Sequence, residues 1–100
     1  MEVEGSEVPL LEGARESSAL GVHTGGEVRN REWTGAHVAF GPNVDTDTAA
    51  LLFDPQTSGG LLIGVSARRA EGLEGAFARD GVPAWRIGRV RGGDAAIRVV

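Results

Sequence analysis

The sequence contains no cysteine, no lysine and no tyrosine. Without cysteine the chain has no disulfide, no thiolate metal ligand and no thiol nucleophile. All ten basic residues are arginine, which excludes the phosphate-binding lysine of a P-loop and the amine of a Schiff base. Five aromatic residues are too few for a row of side chains that stack on single-stranded nucleic acid.

Long apolar runs are missing as well. No run approaches the roughly 18 residues of a membrane span, and the acidic first ten residues lack the basic and apolar blocks of a signal peptide. The net charge is −4, divided into −6 over residues 1–50 and +2 over residues 51–100. An acidic chain argues against a dedicated DNA-binding protein. We therefore expect a cytoplasmic protein with neither a membrane nor a nucleic-acid partner.

The residues that are present predict one domain over residues 1–100, rich in turns because 16 residues are glycine. Helices are predicted over residues 11–20, ending at Gly21, and over residues 66–80, ending at Gly81. A third helix is capped by Asp45 or Asp47 and ends near Phe53, because the following Asp-Pro pair disfavours helical backbone.

Strands are predicted on both sides of the last helix. The apolar run of residues 61–65 is typical of a strand covered on both faces. Residues 84–91 and 95–100 predict a terminal β-hairpin in which Arg91 faces Asp94. The fold class is therefore α/β (α+β), a small mixed β-sheet packed against helices and ending in a β-hairpin. We expect a turn at residues 24–26, leave residues 28–37 unassigned, and expect Trp33 to be a buried anchor.

The most distinctive local sequence is Thr57-Ser58-Gly59-Gly60, between the third helix and the apolar run. Its hydroxyls and glycine amides can form an anion cradle. Strong phosphate loops follow a strand and open a helix, whereas this loop leaves a helix, so a close backbone crossing at the glycines is the other explanation. Ser58 as a nucleophile is disfavoured because no glycine precedes it by two positions and no base is nearby.

No residue is assigned as catalytic or as a metal ligand. Three aspartates could bind a hard cation, but helix capping and turn formation explain them without a metal; they are Asp45, Asp47 and Asp54. His23 and His37 lie fourteen residues apart with no soft ligand beside them, which argues against zinc. Four C-terminal arginines form either a basic strip or a solvated strand face; they are Arg86, Arg89, Arg91 and Arg98.

Residues 54–63, DPQTSGGLLI, closely resemble the C-terminal signature of the selenophosphate synthetases, or selenide, water dikinases. Weaker matches lie on either side in the family's order: VPL, GARE, GG and RNR within residues 8–31, and Ile87-Gly88 with Val90. The chain departs from the family where Thr24-Gly25-Gly26-Glu27 replaces Pro-Gly-Gly-Thr, and a glutamate there would repel a nearby phosphate.

The resemblance implies the last part of the C-terminal domain of an enzyme similar to aminoimidazole ribonucleotide synthetases. The family is dimeric and uses ATP, magnesium and selenide, so we also expect this chain to be part of a homo-oligomer, a dimer. Its catalytic cysteine or selenocysteine, its lysine and its metal-binding aspartates belong to other segments. We therefore expect a framework segment that is inactive alone, binds no cofactor alone, partners the rest of the enzyme, and carries a ligand-bordering loop at Thr57, Ser58, Gly59 and Gly60. The alternative is a stand-alone interaction or ligand-binding module without kinase chemistry.

Overall fold

The computed structural model describes all 100 residues, Met1 to Val100. Four α-helices are present: α1 Ala14–Ala19, α2 Gly25–Thr34, α3 Thr46–Phe53 and α4 Ala67–Arg79. Four short strands accompany them: β1 Glu2–Val3, β2 Val38–Phe40, β3 Gly88–Arg89 and β4 Ile97–Val99. Single 3-10 turns lie at Gly5–Glu7 and Gly35–His37. None of the helices is both long enough and apolar enough to cross a membrane.

The strands form one mixed sheet in the order β2-β4-β1-β3. β4 runs parallel to both of its neighbours, whereas β3 runs antiparallel to β1. The predicted α+β class with a mixed sheet is confirmed. β3 and β4 run in opposite directions, as in the expected hairpin, but the N-terminal strand lies between them and takes their hydrogen bonds. Arg91 correspondingly bonds to Glu2 at 2.8 Å and not to Asp94.

The core is small and lies where α3 packs on the sheet. The buried apolar residues are Val3, Ala49, Ala50, Phe53 and Val99. The Phe53 ring meets Phe40 of β2 edge to face, with 5.7 Å between centroids, and the Arg31 guanidinium covers Phe53 at 4.7 Å. Helix α3 also contacts α1 and α2. α3 is thus the central helix of the fold.

Three helix predictions are confirmed by their end residues. Asp45 caps α3, and α3 ends at Phe53 before the Asp-Pro pair. Gly21 and Gly81 adopt left-handed backbone conformations with φ of 79° and 67° just beyond α1 and α4. Such conformations suit glycine because it has no Cβ.

The predicted turn at residues 24–26 is wrong, because Thr24 caps α2 and the helix begins at Gly25. Trp33 as a buried anchor is also wrong, since Trp33 is 86% exposed. Helical geometry explains this exposure. The inner side of α2 carries Glu27, which is buried, and Asn30, whose side chain bonds to α3. At 100° per residue, Trp33 lies about 60° from Asn30 and about 120° from Glu27, so it falls at the margin of that side, where its ring stays exposed.

The predicted strand at residues 61–65 is wrong as well. These residues are exposed and adopt no regular structure. None of their backbone groups takes part in a backbone hydrogen bond within the chain. A strand needs a neighbouring strand, and no strand of the sheet lies beside this segment.

Candidate functional site

The Thr57–Gly60 loop follows directly from the end of α3. Asp54 is extended, with φ −63° and ψ 132°, as expected for a residue before proline. The Gly59 amide donates to the Gln56 carbonyl at 3.4 Å, which forms a turn. A Cβ on Gly59 would lie 2.9 Å from the end of the Gln56 side chain, so a larger residue there would require this exposed side chain to move. The predicted loop is confirmed as a loop; its role as a ligand border stays a prediction.

The start of the loop is attached to the start of α2. The Thr24 hydroxyl donates to Asp54 Oδ1 at 2.8 Å. The Pro55 ring packs so closely against Gly26 that a Cβ at residue 26 would overlap it. The structure thereby joins two of the segments that carry the family resemblance. The sequence analysis did not predict this contact. The glycine at position 26 was a signal that another part of the chain could approach the backbone there.

The hydroxyls of Thr57 and Ser58 are exposed and form no hydrogen bond within the chain. The Gly60 amide likewise has no backbone partner. Two hydroxyls and an amide on one short loop are therefore free to donate to an oxygen atom of a ligand. This is the chemistry that the sequence motif suggested, and it consists of neutral donors without a cation.

Glu27 does not face such a ligand. Its carboxylate is almost completely buried and accepts bonds from Arg31 at 2.9 and 3.2 Å. The His23 Nδ1 lies 3.3 Å from its other oxygen. The carboxylate of Glu27 is thus paired with side chains of the same chain. Glu27, which departs from the family pattern, is therefore part of the packing of α2. The expected repulsion of a phosphate by Glu27 is not supported by this geometry.

A cavity of about 20 Å³ lies among α1, α2 and α3, next to Thr24 and Asp54. It is large enough for one water molecule and far smaller than a nucleotide site. A larger open depression of about 270 Å³ lies at the sheet end, lined by Glu2, Arg91 and Arg98 among others. Neither is lined by the Thr57–Gly60 loop.

The three aspartates considered as cation ligands have separate partners. Asp45 accepts from the Thr48 amide at 2.7 Å and from Arg15 at 3.0 Å, and these bonds lower the pKa of Asp45 to about 2. Asp47 accepts from Ser18, and Asp54 from Thr24. No three His, Asp or Glu side chains lie close enough together to hold a metal ion. The carboxylates therefore cap helices and join elements.

The C-terminal arginines are mostly paired with carboxylates. Arg86 makes two 2.8 Å bonds to Glu74, which lower the pKa of Glu74 and raise that of Arg86. Arg89 bonds to Glu4, and Arg91 bonds to Glu2, whose pKa is lowered by that bond. The expected choice between a basic strip and a solvated face is therefore settled in favour of a paired, solvated face.

Curated proteins similar to this chain are described as selenide, water dikinases. The protein of Caldanaerobacter subterraneus subsp. tengcongensis is 44% identical over 73 residues, 73% of this chain and 21% of the relative. That of Pelobacter propionicus is 43% identical over 77 residues, 77% of this chain and 22% of the relative. That of Carboxydothermus hydrogenoformans is 35% identical over 94 residues, 94% of this chain and 27% of the relative.

No protein-family model matches the chain. The relatives nevertheless confirm the resemblance predicted from the sequence: the chain matches a segment of the selenide, water dikinases. It spans about a fifth to a quarter of the length of the curated relatives, which is consistent with a C-terminal segment of these enzymes.

Proposed function

We propose that the chain is the C-terminal framework of a cytoplasmic selenophosphate synthetase, which converts ATP, selenide and water into selenophosphate, AMP and phosphate. The observation that carries this proposal is the 44% identity to a selenide, water dikinase over 73 residues. The aligned segment is 21% of that relative. The remaining part of such an enzyme would be the immediate partner of this chain.

In this proposal the chain positions a loop and supplies no group that cleaves ATP. The Thr24–Asp54 bond and the Gly26–Pro55 contact fix the loop relative to α2. Thr57 and Ser58 then present free hydroxyls to the cleft of the assembled enzyme. The residues of this chain do not by themselves fit magnesium, because no three carboxylates or imidazoles converge. ATP is the phosphoryl donor of the reaction; the rest of the enzyme would supply most of its binding site, and Thr57 and Ser58 would border it.

A chimaeric enzyme tests the framework role. The matched 73-residue segment of the Caldanaerobacter enzyme is replaced by the corresponding segment of this chain, and selenide-dependent AMP formation is measured. We expect the chimaera to form AMP, while the same enzyme lacking the segment and this chain alone do not. AMP formation by the pure chain alone would contradict the framework role. A folded but inactive chimaera would instead favour the stand-alone binding module.

The loop is tested in the same chimaera. Thr57→Val and Ser58→Ala each remove one free hydroxyl without touching the core. We expect the KM for ATP to rise about 3- to 10-fold, the value of one lost hydrogen bond. Ser66→Ala is the matched control, because Ser66 is exposed and its side chain makes no capping bond. Equal KM values for all three variants would contradict a ligand-bordering loop.

A further inference from the structure

The Thr57–Gly60 loop is attached to the rest of the fold only at its start. Residues 56–65 are all exposed. Their side chains form no hydrogen bond within the chain, and their one backbone bond is the turn between Gly59 and Gln56. The position of the Thr57 and Ser58 hydroxyls is therefore determined by residues 53–55, which come just before the loop.

Helix α2 contacts each of these three residues. The Asn30 side-chain amide donates to the carbonyl of Phe53 at 2.8 Å. The next two residues are held through Thr24 and Gly26, the first by a hydrogen bond and the second by packing against the proline ring. Three consecutive residues are thus fixed by one helix immediately before the chain enters the loop.

The bond from Asn30 is the innermost of these contacts. The Phe53 carbonyl lies in the last turn of α3, where the helix itself supplies no N–H donor, and no backbone amide donates to it. The bond is partly buried and Phe53 is buried, whereas the Thr24–Asp54 bond is exposed. Water therefore competes less with the Asn30 bond, and this bond fixes the peptide plane at which the chain leaves α3.

We propose that Asn30 is a positioning residue for the Thr57–Gly60 loop. Its amide holds the end of α3 in one orientation and so sets the direction in which residues 54–58 continue towards the ligand. The inference rests on the proposed function, in which Thr57 and Ser58 border ATP. Asn30 acts through the loop and supplies no group to the ligand itself.

A positioning role and a purely structural role of Asn30 have different kinetic consequences. Hydrogen bonds from the loop that are equally strong in the substrate complex and in the transition state affect KM and leave kcat unchanged. Displacement of the loop hydroxyls would therefore raise the KM for ATP. A purely structural Asn30 would affect the melting temperature, and the enzyme that remains folded would keep its KM.

Asn30→Asp in the chimaera described above tests the positioning role. Aspartate has nearly the same size but no donor for the Phe53 carbonyl. We expect the KM for ATP to rise about 3- to 10-fold, the value of one lost hydrogen bond, with kcat changed by less than about twofold. Asn30→Gln keeps the amide and should recover part of the loss. Far-UV circular dichroism checks that each variant is folded.

Thr34→Val is the matched control for Asn30→Asp. The Thr34 hydroxyl donates at 2.8 Å to the backbone carbonyl of Asn30, so this variant also removes one hydrogen bond of α2 but none that reaches the loop. We expect its KM for ATP to equal that of the unmodified chimaera. An unchanged KM in Asn30→Asp, or the same increase in Thr34→Val, would overturn the proposal.

A double-mutant cycle tests whether Asn30 acts through the loop. In a chimaera that carries both Thr57→Val and Ser58→Ala, Asn30→Asp should raise the KM for ATP further by less than about twofold, because the hydroxyls that it positions are gone. A full additional increase would show that Asn30 affects ATP by another route and would contradict the positioning role.

Nuclear magnetic resonance of this chain alone separates the proposal from the enzymatic role. Asn30→Asp should shift the backbone amide signals of Gly59 and Gly60 more than Thr34→Val does, and equal shifts would overturn the positioning role. If Thr57→Val and Ser58→Ala leave the KM for ATP unchanged, the ligand-bordering role of the loop fails. The amide spectra then still decide whether Asn30 positions the loop.

Discussion

Among single residues, Asp45 is one of the two aspartates predicted to cap the third helix, and it accepts three hydrogen bonds. It accepts from the Thr48 amide at 2.7 Å and from Arg15 at 3.0 Å, and so joins the start of α3 to α1. Asp45→Ala should lower the melting temperature by about 4–8 °C, the usual effect of a lost helix cap in a domain of this size. Asp45→Asn keeps a capping oxygen and should lower it less. Thermal unfolding followed by circular dichroism measures both, and equal melting temperatures for wild type and Asp45→Ala would contradict the role.

Asp45 should also give the chain a characteristic acid sensitivity. Its pKa is about 2 in the folded chain, below the ordinary 3.8, mainly because the Thr48 amide and then Arg15 bond to the carboxylate. A lowered folded pKa stabilises the fold above the unfolded pKa, and this stability is lost as the pH falls from about 4 to about 2. Urea unfolding at pH 5 and pH 2.5 should show a larger loss in wild type than in Asp45→Asn. Equal losses of unfolding free energy in wild type and Asp45→Asn would exclude Asp45 as a source of the acid sensitivity.

Gly26 is required for the contact between α2 and the candidate loop. A Cβ at this position would overlap the Pro55 ring, whereas a Cβ on the adjacent Gly25 meets only the flexible end of Arg29 at 3.5 Å. Gly26→Ala should reduce the free energy of unfolding by about 1–3 kcal/mol, the usual cost of overpacking. Gly25→Ala should change it by no more than about 0.5 kcal/mol. Urea unfolding of the two variants makes the comparison, and similar values would argue against the Gly26–Pro55 contact.

At the scale of elements, α4 contains a glycine that the fold does not need. Gly72 lies in the helix interior with no atom within 4 Å of its would-be Cβ. Gly72→Ala should raise the free energy of unfolding by about 0.5–1 kcal/mol through helix propensity. Gly81→Ala is the contrasting control, because φ of 67° there is unfavourable for alanine. In urea unfolding, the free energy of unfolding should therefore rise in Gly72→Ala and fall in Gly81→Ala. A decrease in Gly72→Ala would contradict the open surroundings of Gly72 and would mean that another part of the chain packs against it in solution.

The elements differ in how far the sequence determines them. α1, α3 and α4 were predictable because Gly21, Asp45 and Gly81 mark their ends with local chemistry. α2 was not, because its buried side carries Glu27 and Asn30 and so leaves no apolar period. The burial of Glu27 depends on Arg31 and His23, which pair with it only once the helix has formed.

Pairing across long sequence distances was the least predictable feature. β1 joins the sheet between β3 and β4 through two residues, Glu2 and Val3, and two residues carry no strand pattern. The apolar run Leu61–Val65 has the composition of a buried strand, but composition cannot supply the neighbour that a strand requires. The candidate loop was predictable from its glycines and hydroxyls, whereas its attachment to Thr24 and Gly26 required the fold.

The whole molecule is expanded for its length. Its radius of gyration is 14.7 Å, whereas about 13 Å is usual for 100 residues. Eight of its 100 residues are buried, and none of these lies in α4 or in Leu61–Val65. The core around α3 and the sheet must therefore supply most of the stability, and the part of the chain from residue 60 to residue 86 contributes little to it.

This uneven burial predicts a shallow dependence of stability on denaturant. The slope of unfolding free energy against urea scales with the surface exposed on unfolding. From the accessible area of 7750 Å², unfolding newly exposes about three quarters of the surface that the unfolding of a compact chain of this mass would expose. We expect the slope for this chain at low concentration to be about three quarters of that of a compact 100-residue reference protein in the same buffer. An equal slope would mean that α4 and Leu61–Val65 pack against the core in solution.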